Sequence, residues 1–151
     1  MALAKPDYDG LKIDRVIATR VPSFVIFHPN KVTWLVHQLR TVYDLLGTKF
    51  SSFGTLPADR RLISTIRRID TTTLAESQEL FCISNNVGQR LARFNGLHAE
   101  TLYPPPKHDG LYRNDAYGEY VLVVSRLHKL KRVDQIIRAS HTCVAKQVYT
   151  L

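Results

Sequence analysis

The chain has 151 residues, about the length of one average domain, and 44% of them are hydrophobic and 23% charged. This composition is typical of a folded globular protein and argues against disorder as the main state. No apolar run approaches the roughly 18 residues that a membrane-spanning helix needs, and the opening MALAKPDYDG lacks the apolar core of a secretory signal, so a cytoplasmic location is expected. The formal net charge of +8 would suit nucleic acid, an anionic membrane surface or a phosphorylated small molecule, and charge alone does not choose among them.

The first predicted elements are three strands. A short strand is expected within KIDRVIATRVPSF and ends at a turn that contains Pro22. Two apolar runs, Phe24–Phe27 and Val32–Val36, predict two further strands, separated by a turn at residues 28–31. Because their apolar residues run almost continuously instead of alternating, they are typical of a parallel sheet with helices on both faces.

A basic amphipathic helix is predicted over residues 59–69. Its apolar face is expected to comprise Leu62, Ile63, Ile66 and Ile69, and its opposite face Arg60, Arg61, Arg67 and Arg68. The arginine face would either lie in solvent or contact anionic lipid or a lipid-linked acceptor. Thr73 and Glu76 have the spacing of a capping box, which predicts the start of a further helix.

A strand, a helix and another strand follow. Leu80–Ile83 predicts a buried strand, Ser84 the N-cap of a helix formed by NNVGQRLARF, and Gly96 its C-terminal cap. Ala99–Tyr103 predicts a short strand that runs into three prolines, which stop strand pairing and suit an inter-domain connector. The alternation of strands and helices indicates an α/β sandwich, with ligands expected at the carboxyl ends of the strands.

A new unit is predicted after the connector. The strand Tyr120–Val124 is followed by the loop SRLHKLKR, a helix over about Val133–Ala139 and a strand at Gln147–Leu151. Two cysteines without a CxxC motif or a Cys/His cluster, Cys82 and Cys143, predict buried thiols instead of a disulfide framework or a metal site.

The loop after Val124 contains the strongest candidate binding residues. In a strand-to-helix loop, a phosphate meets the helix N-terminus, and Arg126 and Lys131 add a forked donor and a point charge. This arrangement predicts a diphosphate site. The alternative is a solvated basic loop.

Four segments, taken in chain order, resemble one enzyme family. They are HPNKVTWLVHQLRTVYDLLG, LFCISNNVGQRLARFNGL, ETLYPPP, and a strand followed by SRL, three variable residues, KR and a helix that begins VD. Between about Tyr8 and Ala139 the chain is similar to glycosyltransferase family 4, whose members have the GT-B fold and transfer sugars with retention of configuration. The resemblance implies a Rossmann-like α/β chain in which 1–103 is the carboxyl part of the acceptor-side domain, 104–119 a linker and 120–151 the start of the donor-binding domain.

The resemblance also implies roles for particular residues. Arg126 and Lys131 would hold the diphosphate of a nucleotide sugar, and His37, at the end of a strand, would face the donor in the cleft. No metal cofactor is implied, no catalytic residue is assigned, and the acceptor would be lipid-linked or a saccharide. An enzyme that acts on lipid-linked acceptors would also make peripheral contact with an anionic membrane, at its inner face.

Two active-site features of the family are not found in the sequence. Its pair of glutamates would lie beyond Leu151, and its glycine-rich loop before Met1. We therefore expect a central fragment that is inactive alone. Two other interpretations stay open: a truncated remnant that acts as a binding module, and a nucleic-acid-binding protein, which rests on charge alone because no RRM, helix-turn-helix, KH or zinc signature is found.

Overall fold

The computed structural model describes residues 7–113, 115–118, 120–142 and 147–150. The chain divides into two compact units, Met1–Pro105 and Pro106–Leu151, and the division falls within the proline run. The described strands are β1 (Asp7–Tyr8), β2 (Leu11–Lys12), β3 (Val16–Arg20), β4 (Lys31–His37), β5 (Glu79–Cys82), β6 (Glu100–Thr101), β7 (Tyr120–Val123) and β8 (Gln147–Thr150). The described helices are α1 (Pro57–Ala75), α2 (Asn85–Asn95) and α3 (Val133–Ser140).

The first unit contains a parallel sheet with the strand order β3-β4-β5-β6. A short antiparallel hairpin of β1 and β2 precedes it. Seven hydrophobic side chains pack into one core cluster with this sheet: Ala18, Phe24, Leu35, Leu74, Cys82, Val87 and Leu91. The second unit contains a parallel pair, β7 and β8, with α3 between them in the chain. The prediction of an α/β fold with a parallel sheet is confirmed.

Strand β4 lies in the middle of the first unit's sheet, paired with β3 on one side and β5 on the other. Every residue from Lys31 to Val36 is buried or half-buried, as its continuous apolar run predicts. The indole nitrogen of Trp34 donates a hydrogen bond of 2.9 Å to the carbonyl of Leu102. This bond joins the central strand to the segment that follows β6.

The predicted strand Phe24–Phe27 is wrong. Residues Ser23–Val25 form a 3-10 turn, because the Ser23 hydroxyl accepts hydrogen bonds from the Thr19 and Arg20 amides and donates to the Arg20 carbonyl at 2.7 Å. Such side-chain bonds to local backbone favour turns over strands. Phe24 is fully buried, so the apolar run reaches the core from a turn.

The predicted helix start at Thr73 is also wrong, because α1 continues to Ala75. The Thr73 hydroxyl donates to the Ile69 carbonyl at 2.8 Å within the helix. The amide of Glu76 donates to the Thr72 carbonyl at the helix end. The spacing of a capping box therefore occurs here at a helix C-terminus, where it caps no helix start.

The two faces predicted for α1 need correction. Leu62 and Ile69 were expected to face the core, yet 50% and 40% of their surfaces are exposed. Arg67 was expected to face solvent but is half-buried, with its guanidinium donating to the Val42 carbonyl at 2.6 and 2.8 Å and lying 5.3 Å from the centre of the Tyr43 ring. The helix is therefore rotated relative to the predicted pattern.

The ends of α2 form as predicted. The Ser84 hydroxyl accepts a hydrogen bond from the Val87 amide, and Gly96 adopts the left-handed conformation with φ 65°. Cys82 is buried, as expected, whereas Cys143 lies outside the described residues. The strand predicted at 99–103 is shorter than expected, spanning Glu100–Thr101. None of the described helices is both long and apolar enough to cross a bilayer.

Candidate functional site

The loop between β7 and α3 forms a defined turn. Residues Lys129–Lys131 make one turn of 3-10 helix, and the Lys131 amide donates to the His128 carbonyl at 2.8 Å. The Nδ1 atom of His128 accepts a hydrogen bond of 3.2 Å from the Leu130 amide. The imidazole therefore caps the turn, a role that we did not predict from the sequence.

This loop surrounds a surface cavity of about 380 Å³, lined by Arg126, Leu127, His128, Leu130 and Lys131. The volume lies in the range that small-molecule sites occupy. The structure thus brings the two predicted phosphate ligands to one cavity. Its lining combines cationic groups with two leucine side chains, so it offers both charge and apolar contact to a ligand.

Among the described residues, no acidic side chain pairs with the two cations of this cavity. Arg126 and Lys131 are exposed, and neither forms an ion pair within the part of the chain that the structure describes. The ion pair described in the second unit joins Arg132 and Asp134 at 3.6 Å, with both side chains more than half exposed. An exposed pair of this kind contributes little to stability. The charges of Arg126 and Lys131 therefore stay available to an anion.

Helix α3 begins at Val133, two residues after Lys131. Its N-cap residue, Arg132, has a φ of 51° and no side-chain cap hydrogen bond. The N-terminus of a helix carries a partial positive charge and favours anions, although Asp134 in the first turn offsets part of that field. Val133, the first residue of α3, is 5% exposed.

His37 is the last residue of β4 and lies in the first unit. Its side chain is exposed, and its Nδ1 atom lies 2.8 Å from the carbonyl oxygen of Gln38. Because a carbonyl can only accept, Nδ1 carries the hydrogen, and in the neutral ring Nε2 is the acceptor. The neutral imidazole is thus suited to accept a hydrogen bond from a hydroxyl.

A buried polar network anchors the residue next to His37. The side chain of Gln38, which is 2% exposed, donates to the Asn95 carbonyl oxygen. The Asn95 amide donates to the Thr71 hydroxyl at 2.7 Å and to the Tyr43 hydroxyl at 3.3 Å. This network holds the Gln38 backbone and, through its carbonyl, the ring of His37.

Two acidic residues near this network differ in their environment. The Tyr43 hydroxyl donates to the buried Asp70 carboxylate at 2.8 Å, and burial raises the pKa of both groups. Partial burial also acts on Asp44, but hydrogen bonds from Arg40 and the charges of Arg40 and Arg90 hold its pKa below the ordinary value. Asp70 is thus the carboxylate whose charge the fold disfavours.

The described residues include no cluster of three histidine, cysteine or acidic side chains that could hold a metal ion. The structure places Arg126 and Lys131 together in the second unit and His37 in the first. No protein-family model, curated protein or solved structure matches this chain. The resemblance to glycosyltransferase family 4 therefore stays a hypothesis.

Proposed function

We propose that this protein is a nucleotide-sugar-dependent glycosyltransferase with a GT-B architecture, and that the loop between β7 and α3 binds the donor diphosphate. The observation that carries the proposal is the cavity of about 380 Å³ that Arg126 and Lys131 line together. Its position after a parallel strand and before a helix is where α/β proteins bind phosphates. The retaining mechanism and the family assignment rest on the sequence resemblance.

The two cations have complementary properties. The planar guanidinium of Arg126 can donate two parallel hydrogen bonds to one phosphate, and the ammonium of Lys131 is a compact charge that adapts to a second. During sugar transfer, negative charge grows on the diphosphate as the glycosidic bond breaks. Fixed cations at that position stabilise the transition state more than the ground state, which accelerates the reaction.

The turn geometry favours a binding site over a solvated basic loop. The hydrogen bonds to the backbone and ring of His128 hold the chain between Arg126 and Lys131 in one conformation. A loop whose backbone is already held in one conformation loses less conformational freedom on binding than a mobile loop does. In this proposal the side-chain cations neutralise the diphosphate without a metal cofactor. A role for His37 toward the donor sugar rests on the sequence resemblance alone.

Nucleoside diphosphate binding tests this proposal. UDP, GDP and ADP are titrated into the full chain and into Arg126→Ala, Lys131→Ala and Lys129→Ala variants, with amide NMR shifts as the readout. Lys129 is the matched control, because it is an exposed cation of the same loop that does not line the cavity. Each cavity variant should bind at least about tenfold more weakly, since a hydrogen bond to a charged group contributes roughly 1.5 to 3 kcal/mol.

The outcomes separate the candidate functions. Weaker binding in both cavity variants, with Lys129→Ala near wild type, supports the donor site. Nucleotide-sugar turnover that depends on the same two residues would establish the transferase. Equal loss in all three variants, together with equal loss of single-stranded RNA binding, would instead indicate a nonspecific basic surface. Diphosphate binding without turnover would support the binding site only, because inactivity of this chain alone is expected of the transferase as well as of a non-catalytic binding module.

A further inference from the structure

Helix α1 presents an outward face with two stripes of different chemistry. Arg61 and Arg68 are seven residues apart, so they lie on the same face about two turns from each other. Leu62 and Ile69 repeat the same spacing one position further along, which places them about 100° around the helix axis from the arginines. All four side chains are exposed. A cationic stripe therefore runs along the helix next to an aliphatic one.

No described acidic side chain forms an ion pair with this face. The segment from residue 60 to residue 69 contains no acidic residue. Of the flanking carboxylates, that of Asp59 accepts a hydrogen bond from the Gly54 amide, and that of Asp70 is buried against Tyr43. Arg61 and Arg68 have no hydrogen bond or ion pair with any residue that the structure describes.

We propose that this face of α1 docks on an anionic lipid bilayer, with the arginines at the headgroups and Leu62 and Ile69 at the boundary with the acyl chains. Charge complementarity selects an anionic partner. The aliphatic stripe favours a partner that is charged at its surface and apolar beneath, because transfer of exposed leucine and isoleucine side chains out of water lowers the free energy. Nucleic acid would engage the arginines through its phosphates, but it offers no acyl layer into which Leu62 and Ile69 could leave water.

The stripes fit a shallow attachment instead of insertion. The opposite side of α1 is engaged in the first unit through buried residues such as Ile63 and Leu74, so the helix cannot roll onto its main apolar face without unfolding the core. Long arginine side chains can extend their aliphatic stems over an apolar surface while their charged ends stay in water. The docked state therefore needs no change in the fold.

Vesicle sedimentation of the full chain tests the proposal. Vesicles of phosphatidylcholine alone are compared with vesicles that contain 30% phosphatidylglycerol, at low and at physiological salt. Each arginine near an anionic surface contributes about a fivefold gain in partitioning, so Arg61→Gln/Arg68→Gln should weaken binding about 25-fold. Leu62→Gln/Ile69→Gln should weaken it by about tenfold without altering its salt dependence. The matched control is Arg15→Gln/Arg20→Gln, which removes two exposed arginines outside α1.

The proposal is supported if binding requires phosphatidylglycerol, is weaker in both α1 variants and persists in the control variant. No binding to anionic vesicles, or equal loss in the control, overturns it, because attraction would then be absent or due to net charge. RNA binding that depends on Arg61 and Arg68, without vesicle binding, also overturns it. UDP binding at the Arg126 and Lys131 cavity is measured on the same variants, so failure of one proposal is distinguishable from failure of the other.

Discussion

Strands β4 and β7 have similar apolar sequences and very different surroundings. In β4, Lys31, Thr33 and Leu35 are completely buried, whereas in β7 only Val123 is buried and Leu122 is 52% exposed. Strand β4 has a partner on each edge, and β7 pairs with β8 alone among the described residues. An apolar run predicts a strand, but the neighbours of that strand determine how much of it leaves water.

The largest test of this contrast replaces one leucine in each strand. Leu35→Ala should destabilise the first unit by about 2 to 5 kcal/mol, because it removes fully buried methyl groups and leaves a cavity. Leu122→Ala should cost about 1 kcal/mol or less in the second unit, since its side chain is half exposed. Urea-dependent hydrogen exchange, followed by mass spectrometry on β4 and β7 peptides, measures both. Equal costs would show that the two strands are equally buried in solution.

Local signals in the sequence predicted much of the first unit. Ser84 and Gly96 mark the ends of α2 because capping depends on a few adjacent backbone groups. The apolar run at Phe24 gave a wrong strand, because the hydroxyl of Ser23 closes a turn that overrides it. The burial of Lys31 was not predicted either. Its amine donates to the Phe24 carbonyl, which lies in that turn, and to the Thr73 carbonyl, which is distant in sequence.

The candidate site was predictable to a similar degree. The loop position of Arg126 and Lys131 follows from the order of strand, loop and helix, while their roles stay predictions. The turn that gives the cavity its shape was not predictable, because an imidazole that caps a 3-10 turn leaves no pattern in the sequence. The Asn95 network that holds the residue next to His37 joins three separate segments, so no local spacing indicates it.

An intermediate effect is expected at two left-handed positions, one in each unit. Gly96 has a φ of 65° and Arg132 a φ of 51°. The first residue has no side chain to strain this conformation, whereas the second has a long one. Gly96→Ala should destabilise the first unit by about 1 kcal/mol through backbone strain alone, because nothing lies within 4 Å of the new Cβ.

Arg132→Gly should have the opposite sign and slow hydrogen exchange in α3, since glycine relieves strain of about 1 kcal/mol at this φ. The lost ion pair with Asp134 is exposed and should subtract little from this gain. Urea denaturation measures the stability of Gly96→Ala, and hydrogen exchange of the α3 amides measures the effect of Arg132→Gly. Destabilisation by both changes would mean that the backbone at Arg132 is not strained.

The smallest expected effect is a pH dependence confined to the first unit. Asp70 is buried there, whereas every described ionisable side chain of the second unit is exposed. Burial raises the pKa of Asp70 above its ordinary 3.8, so the folded state holds this proton more tightly than the unfolded state. The resulting stability is present below about pH 3.8 and is lost as the pH rises through the folded pKa.

Asp70→Asn removes this titration. The unfolding free energy of the wild type minus that of Asp70→Asn should therefore fall as the pH rises from about 3.8 and then level off. Urea denaturation at several pH values measures the difference, and Asp109→Asn is the control for loss of one exposed carboxylate. A difference that does not change with pH would show that the Asp70 carboxylate is as well solvated in the folded state as in the unfolded chain.

The buried amine of Lys31 has a chemical consequence. Its Nζ atom is enclosed, donating to the Phe24 carbonyl at 3.0 Å and to the Thr73 carbonyl at 2.7 Å. Acylating reagents label exposed amines such as those of Lys12 and Lys49 directly, but they reach Lys31 only when the turn at Phe24 or the end of α1 moves away from its amine. The rate at which Lys31 is acylated in the native protein would therefore report how often this contact opens. The chain thus contains its own chemical probe of opening at the centre of the first unit.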